Sequence, residues 1–271
     1  WEWQAGSSGN ITVHTNGQDP VLAQAALDIA LEAQGRINQT LQAPLQAETH
    51  IYIYPELAQL VSALRVHDRT VQDWVAAYSI PDQSVILIAA TSGPEMLPSL
   101  QRDIPHELTH LLVYGAVGPQ NTKQVPGWFN EGLALMSAYE PDPTLHSTLR
   151  EATLEGVLLS MDTLCVPDFT DLPPRDAALA YAQSESFMRY ISDRYGSSQV
   201  RAMMNAYASG ASCSGGVHQA LGIPLSSLES QWHSSLRGEV ARSPESETSL
   251  TPWLIVWAAS LILAALFIAP Q

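Results

Sequence analysis

The pentapeptide HELTH, residues 106–110, places two histidines and a glutamate at a spacing that suits metal binding. On a helix, positions i and i+4 lie on one face, so the imidazoles of His106 and His110 can reach one metal ion. Glu107 lies about 100° further round such a helix, where it can contact a water on that metal without being a ligand. The spacing therefore predicts a helix that supplies two metal ligands and a general base.

A third metal ligand is predicted in the segment PGWFNEGLA, residues 126–134. Catalytic zinc takes three protein ligands and keeps one position for water, and two histidines with one glutamate are a known set. The twenty residues between His110 and Glu131 can end the first helix, cross a loop and begin a second helix that packs on the first. The alternative for Glu131 is an exposed acid in the first turn of a helix, which the helix dipole favours. Beside the upstream motif, we favour the ligand role.

Together the two motifs resemble those of the gluzincin metallopeptidases, which include thermolysin-like proteases and membrane alanyl-type aminopeptidases. The form PxWxxEGLA is most similar to small peptidase-MA-like domains of bacterial proteins. The resemblance implies an α+β fold in which a small mixed sheet lies beside the zinc helix and a helical C-terminal part follows. It also implies that His106, His110 and Glu131 bind Zn²⁺ and that Glu107 activates the water that hydrolyses a peptide bond. In gluzincins an extended substrate lies along an edge strand, and residues 74–79 or 84–90 would form that strand here.

The chain departs from the resemblance at two positions. Thermolysin-type enzymes carry an aspartate four residues after the zinc glutamate, and Leu135 stands there in this chain, so that orienting carboxylate is missing. Pro105 directly precedes His106 and removes a backbone donor. We therefore expect the zinc helix to begin near Asp103 as an N-cap, or to bend at Pro105.

The oxyanion of a tetrahedral intermediate needs a hydrogen-bond donor. Related enzymes often supply a tyrosine or histidine from the helical part, and Tyr181 is our candidate, with Tyr190 next. A core aromatic with a satisfied hydroxyl is an equally open interpretation of Tyr181. Weaker candidates lie on amphipathic stretches, where packing or surface roles are more common: His146, His218 and His233. We assign no role to the histidines that precede the zinc helix: His14, His50 and His67.

Composition narrows the class of partner. A net charge of −15 and a pI near 4.7 leave no basic patch for phosphates, so nucleic-acid binding is not expected. The expected partner is a peptide or protein substrate. A second hypothesis is a catalytically silent accessory subunit that docks within a membrane protein complex. A purely structural zinc site is disfavoured, because such sites usually have four ligands rich in cysteine.

Residues 253–269 contain no charged side chain and begin with Trp253 and Trp257, which is typical of a transmembrane helix in a lipid bilayer. A buried helix is the less favoured alternative, because no polar face interrupts the segment. The Pro- and Ser-rich residues 241–252 are interpreted as a linker. We expect a peptidase domain over residues 48–240, with residues 1–47 adding a strand and a helix to it.

The chain begins at Trp1, which would be explained by removal of an export signal. We therefore expect a single-pass protein of the cell membrane whose catalytic domain lies outside the cytoplasm. Cys165 and Cys213 could pair in such an oxidising compartment, or both could be buried thiols.

Hydrophobic periodicity predicts the remaining elements. Strands are expected at residues 10–15, 50–54, 74–79 and 84–90. Helices are expected at residues 19–40 and 55–64 and, after Glu131, at 144–161, 176–195, 197–208, 214–222 and 225–239.

Overall fold

The computed structural model describes residues 3–16, 20–66, 75–139 and 142–242 of the 271-residue chain. Its strands are β1 (Trp3–Ser8), β2 (Ile11–Asn16), β3 (Thr49–Tyr54), β4 (Ala77–Ile80) and β5 (Val85–Ala89). Its helices are α1 (Pro20–Leu41), α2 (Leu57–Val66), α3 (Met96–Val117), α4 (Gly127–Ser137), α5 (Pro143–Glu155), α6 (Met161–Leu164), α7 (Pro174–Tyr195), α8 (Ser197–Ala208), α9 (Cys213–Leu221) and α10 (Leu225–Arg242).

The strands form one mixed sheet in the order β1-β2-β3-β5-β4. The inner strands β2, β3 and β5 run parallel, and β1 and β4 are antiparallel edges. Alternating apolar residues such as Ile11, Ile51 and Ile86 are fully buried in the main core beneath α1 and α3. On the opposite face, α2 packs Leu60 and Leu64 against the β4–β5 half of the sheet. The predicted α+β class with a small mixed sheet and a helical C-terminal part is therefore confirmed.

Helix α4 lies between α3 and α7, and its close approach to α7 depends on Gly132. A Cβ at this position would lie 2.5 Å from the Ser184 carbonyl oxygen and 2.8 Å from the Met188 Cβ. Trp128 and Phe129 in the first turn of α4 are fully buried. The helix is thus held on both sides, which fixes the direction in which its polar residues point.

A disulfide joins Cys165, directly after α6, to Cys213 at the start of α9. The alternative of two buried thiols is therefore wrong. The Trp128 indole N–H donates a 3.2 Å hydrogen bond to the Cys213 sulfur. The disulfide consequently contacts the first turn of α4 as well as tying two distant segments together.

Most of the strands and helices agree with the sequence predictions, and three features differ. Strand β1 was not predicted, because its small and polar residues show no apolar alternation and most of them are exposed. The predicted helix 144–161 is interrupted, because Gly156 adopts the left-handed conformation (φ 70°) and ends α5. Strand β4 begins at Ala77 rather than residue 74, and residue 74 lies outside the described ranges.

Within the described ranges, no helix has the length and apolarity needed to cross a bilayer. The predicted span at residues 253–269 lies outside those ranges, as do residues 243–252 of the predicted linker, whose first two residues belong to α10. The membrane anchor therefore stays a prediction. The domain limits also stay predictions, although β2 and α1 share the sheet and core with later elements.

We expect the double variant Cys165→Ser/Cys213→Ser to lower the free energy of unfolding by about 4 kcal/mol. The disulfide spans 48 residues, and closing a loop of this length restricts the unfolded chain by that amount in the entropic model. Urea denaturation measures the change, and reduced wild-type protein is the control that should match the variant. An unchanged midpoint would contradict the expectation.

We expect Gly132→Ala to lower the free energy of unfolding by about 1–3 kcal/mol, because the added methyl group overpacks the α4–α7 contact. Gly35→Ala on α1 is the matched control, since a Cβ there meets nothing within 4 Å. The control should be neutral or stabilising by about 0.5–1 kcal/mol, because alanine favours a helix over glycine. Equal effects of the two substitutions in thermal denaturation would argue against the close approach.

Candidate active site

Helix α3 carries the HELTH pentapeptide in its second half. Of the two alternatives for Pro105, a helix start near Asp103 is wrong, because α3 starts at Met96 and continues through Pro105, whereas a bend at Pro105 stays a prediction. Proline has no N–H, so the carbonyl of Gln101, four residues earlier, loses its usual helical donor. The backbone N–H of Tyr139, just after α4, donates a 3.0 Å hydrogen bond to that carbonyl. A contact between α3 and the end of α4 therefore replaces the missing helical hydrogen bond.

Helix α4 positions Glu131 in its second turn. Pro126 precedes the helix, and the Gly127 N–H donates a 2.6 Å hydrogen bond to the carbonyl of Val166. The buried faces of Trp128 and Phe129 set the rotation of α4 about its axis, so Glu131 points toward α3. Only 9% of Glu131 is exposed, which excludes the alternative of a solvated surface acid.

The side chains of His106, His110 and Glu131 converge on one point. The two Nε2 atoms are 3.1 Å apart, and Glu131 Oε2 lies 3.5 Å from His106 Nε2 and 3.7 Å from His110 Nε2. Ligands around a tetrahedral zinc ion are separated by about 3.3 Å, given metal–ligand bonds of about 2.0–2.1 Å. These three form the one group of potential ligands found among the described residues, and their spacing fits a single zinc ion.

The charges around this point favour a cation. Burial alone lowers the pKa of His106, but its hydrogen bond to Glu131 and the nearby carboxylates outweigh burial, so its pKa is raised. Burial alone raises the pKa of Glu131, but the charge of His110 and the interactions with His106 outweigh burial, so its pKa is lowered. Glu131 therefore stabilises the protonated form of His106, and the two imidazoles stabilise the ionised form of Glu131. A site that releases protons when it binds a metal ion has this property.

A cleft of about 550 Å³ opens beside His106, one of the three potential ligands. His106 and Glu107 lie on its floor, and Glu107 is only 7% exposed. The walls are mainly apolar and come from the sheet edge, α4, α5 and α7; they include Ala76, Ala77, Leu135, Leu145, Ala177 and Ala178. A substrate in this cleft would therefore meet Glu107 and the potential ligand His106 together, between apolar walls.

Tyr181 on α7 lines the same cleft and packs edge-on against Phe169, with ring centroids 5.5 Å apart. Burial raises the pKa of Tyr181 well above its usual range, and the negative charges of Glu131 and Glu107 raise it further. Its hydroxyl is consequently a protonated donor at neutral pH.

The other candidate donors lie elsewhere. Tyr190 lines a separate cavity beside Trp232, and His146 lines another between α5, α7 and α10. His218 and His233 belong to α9 and α10 and do not line the cleft. His14 and His50 lie on neighbouring strands, with His14 Nε2 3.1 Å from His50 Nδ1. His67 lies outside the described residues.

Sequence reasoning missed two acidic residues of the cleft, Asp103 and Asp142. Asp103 was considered only as an N-cap, although it lies three positions before His106 and so on the same helical face. Asp142 caps α5 by accepting the Thr144 N–H at 2.8 Å. The i and i+3 spacing could have identified Asp103, whereas the position of Asp142 depends on tertiary packing.

Comparison with known proteins agrees with this geometry. The sequence matches the Peptidase MA superfamily over residues 29–238, well over half of the chain. A search among curated proteins found no match. Proteins of this superfamily are peptidases and are typically metal-dependent, in keeping with the His–His–Glu site. The chain therefore belongs to the peptidase MA superfamily.

Proposed function

We propose that the protein is a zinc-dependent peptidase of the gluzincin type, anchored in a membrane by its C-terminal segment. The observation that carries the proposal is the convergence of His106, His110 and Glu131 on one point, beside a cleft that His106 and Glu107 line. The superfamily match supports the peptidase function at a coarser level.

The donor set fits a catalytic zinc ion. Two imidazoles and one carboxylate suit zinc, and a three-residue set keeps one position for water. His106, His110 and Glu131 would hold the ion. When bound, zinc would polarise the substrate carbonyl and lower the pKa of a water toward about 7.

The residues of the chain would carry the proton transfers. Glu107, next to a ligand and almost fully buried, would accept a proton from the attacking water and pass it to the leaving amine. The Tyr181 hydroxyl, which stays protonated, would donate a hydrogen bond to the oxyanion that develops on the carbonyl oxygen. The apolar walls would exclude bulk water from both groups.

The substrate would lie along β4. Among the residues that the structure describes, β4 pairs with β5 on one side only, so its other edge can hydrogen-bond an extended peptide as an added strand. Ala76 and Ala77, at the start of β4, line the cleft beside Glu107. Of the two strands considered from the sequence, we therefore assign substrate binding to β4, because β5 is an inner strand.

We place the domain outside the cytoplasm of a cell, in a single-pass membrane protein. The Cys165–Cys213 disulfide supports an oxidising compartment, and the uncharged segment 253–269 supports contact with the lipid bilayer. The acidic net charge supports a peptide or protein partner rather than nucleic acid.

A second candidate function is a catalytically silent subunit that docks within a membrane complex. One observation favours it: the buried Nδ1 of His110 has no hydrogen-bond partner within the described ranges, and metal-binding histidines normally have one. Peptide cleavage by the zinc-loaded protein would support the peptidase, and zinc binding without cleavage would support the silent subunit.

We expect purified wild-type protein to contain one zinc ion per chain and Glu131→Ala to contain far less, because two imidazoles alone hold zinc weakly. Atomic absorption on dialysed protein measures the metal content. Glu155→Ala, which changes an exposed acid of α5, should keep full loading. Equal loading of the Glu131 and Glu155 variants would remove Glu131 as a ligand.

We expect Glu107→Gln to retain zinc but to lose about 10²–10⁴-fold in kcat/KM, because glutamine cannot accept the proton. A peptide-library cleavage assay followed by kinetics on one cleaved peptide tests this. Cleavage by the variant at the wild-type rate would exclude Glu107 as the base. Zinc loading without cleavage by the wild type would support the docking subunit.

We expect Tyr181→Phe to lower kcat by about 10²–10³-fold with unchanged zinc content, because one oxyanion donor is lost. Tyr190→Phe, on the same helix but beside a different cavity, is the matched control and should be silent. If both variants keep wild-type kcat, Tyr181 is a packing residue only.

A further inference from the structure

Both histidines present Nε2 to the metal position, so their Nδ1 atoms are the ones left for orienting hydrogen bonds. In metal sites the second ring nitrogen almost always donates to a carboxylate, a carbonyl or water, which fixes the tautomer and the ring orientation. The question for His106 is which group of this chain can accept that hydrogen bond.

Helix α4 does not offer a carboxylate at the cleft wall beside His106. Leu135, one turn after Glu131, lines the cleft there and has no polar side-chain atom. The acidic residues that line the cleft are Asp103, Glu107 and Asp142. Asp142 accepts hydrogen bonds from the N–H and the hydroxyl of Thr144 as the cap of α5, and Glu107 is the proposed base.

Asp103 is the remaining acid, and its carboxyl has a free acceptor. It lies one turn before His106 on α3, and helical side chains lean toward the N-terminus, so the imidazole of His106 leans toward Asp103. Oδ1 accepts a 2.9 Å hydrogen bond from Arg102 Nε, whereas Oδ2 is buried and finds no partner in the part of the chain that the structure describes. A buried oxygen that lacks a hydrogen bond costs free energy, so the site gains stability when Oδ2 accepts one.

Two further observations place Asp103 in the electrostatic surroundings of His106. The charge of Asp103 contributes to the raised pKa of His106, although other groups contribute more. Burial raises the pKa of Asp103, and the charge and hydrogen bond of the Arg102 guanidinium limit that rise.

We propose that Asp103 is the positioning residue for the metal ligand His106, with its Oδ2 accepting a hydrogen bond from His106 Nδ1–H. The inference rests on the proposed zinc site and deepens it. Asp103 does not touch the metal or the substrate in this role. It holds His106 in the tautomer whose Nε2 lone pair faces the metal position.

The test is the zinc dissociation constant, measured at fixed pH by competition with a chromophoric chelator. We expect Asp103→Ala to weaken zinc binding about 10–100-fold, as loss of an orienting partner does. Asp142→Asn removes one acidic charge from the same cleft and keeps the cap of α5, so its zinc affinity should stay within about twofold of wild type. Thermal denaturation of the zinc-free proteins checks that each variant folds.

A second measurement uses a variant in which the carboxylate is moved from α3 to α4. Leu135→Asp in the Asp103→Ala background should restore most of the affinity, because it supplies an acceptor from the opposite wall. The d–d absorption spectrum of the cobalt-loaded Asp103→Ala variant should differ from wild type, and that of Asp142→Asn should not.

Wild-type zinc affinity in a folded Asp103→Ala variant would overturn the proposal. An equal loss in Asp103→Ala and Asp142→Asn would also overturn it, since cleft charge rather than orientation would then be responsible. These results differ from a failure of the proposed peptidase function. In that case the wild-type protein would bind zinc with the predicted dependence on Asp103 but would cleave no peptide.

Discussion

The packing of α4 against α3 is the contact on which the rest of the site depends. It brings Glu131 within 3.5 Å of His106 and 3.7 Å of His110, although twenty residues lie between His110 and Glu131 in the sequence. Burying a carboxylate is costly unless it is paired. The two imidazoles provide that pairing, and the same contact supplies the Tyr139 N–H that compensates for Pro105. The metal position and the integrity of α3 around Pro105 are thus two results of one interface.

The remaining elements hold α4 in place from the other side. Gly132 allows α7 to approach closely, and α7 also carries Tyr181. The segment after Cys165 accepts the Gly127 N–H at Val166 and packs Phe169 against Tyr181. Because the disulfide ties this segment to α9, it stabilises both the start of the glutamate helix and the surroundings of the proposed oxyanion donor.

The cleft between the sheet edge and the helices combines apolar walls with a few acidic groups. The start of β4, the proposed base Glu107 and the potential ligand His106 line one cleft, an arrangement that would suit the proposed hydrolysis of an extended peptide. Asp103 connects this cleft to the proposed metal position from the helix that carries the histidines. The apolar Leu135 on the facing helix and the unpartnered oxygen of Asp103 then have a common explanation.

The local features could be predicted from the amino-acid sequence: the helical spacing of His106, Glu107 and His110, the strands with apolar alternation, and the glutamate motif that resembles a known ligand. These depend on residues within a few positions of one another, and helical geometry converts such spacing directly into a shared face. Only the tertiary structure decided that α3 extends through Pro105, that β1 forms, that β4 is the free edge and that Tyr181 rather than Tyr190 faces the cleft. Each of these depends on a partner far away in the chain, such as the Tyr139 N–H for Gln101 or β2 for β1, and local periodicity carries no information about such a partner.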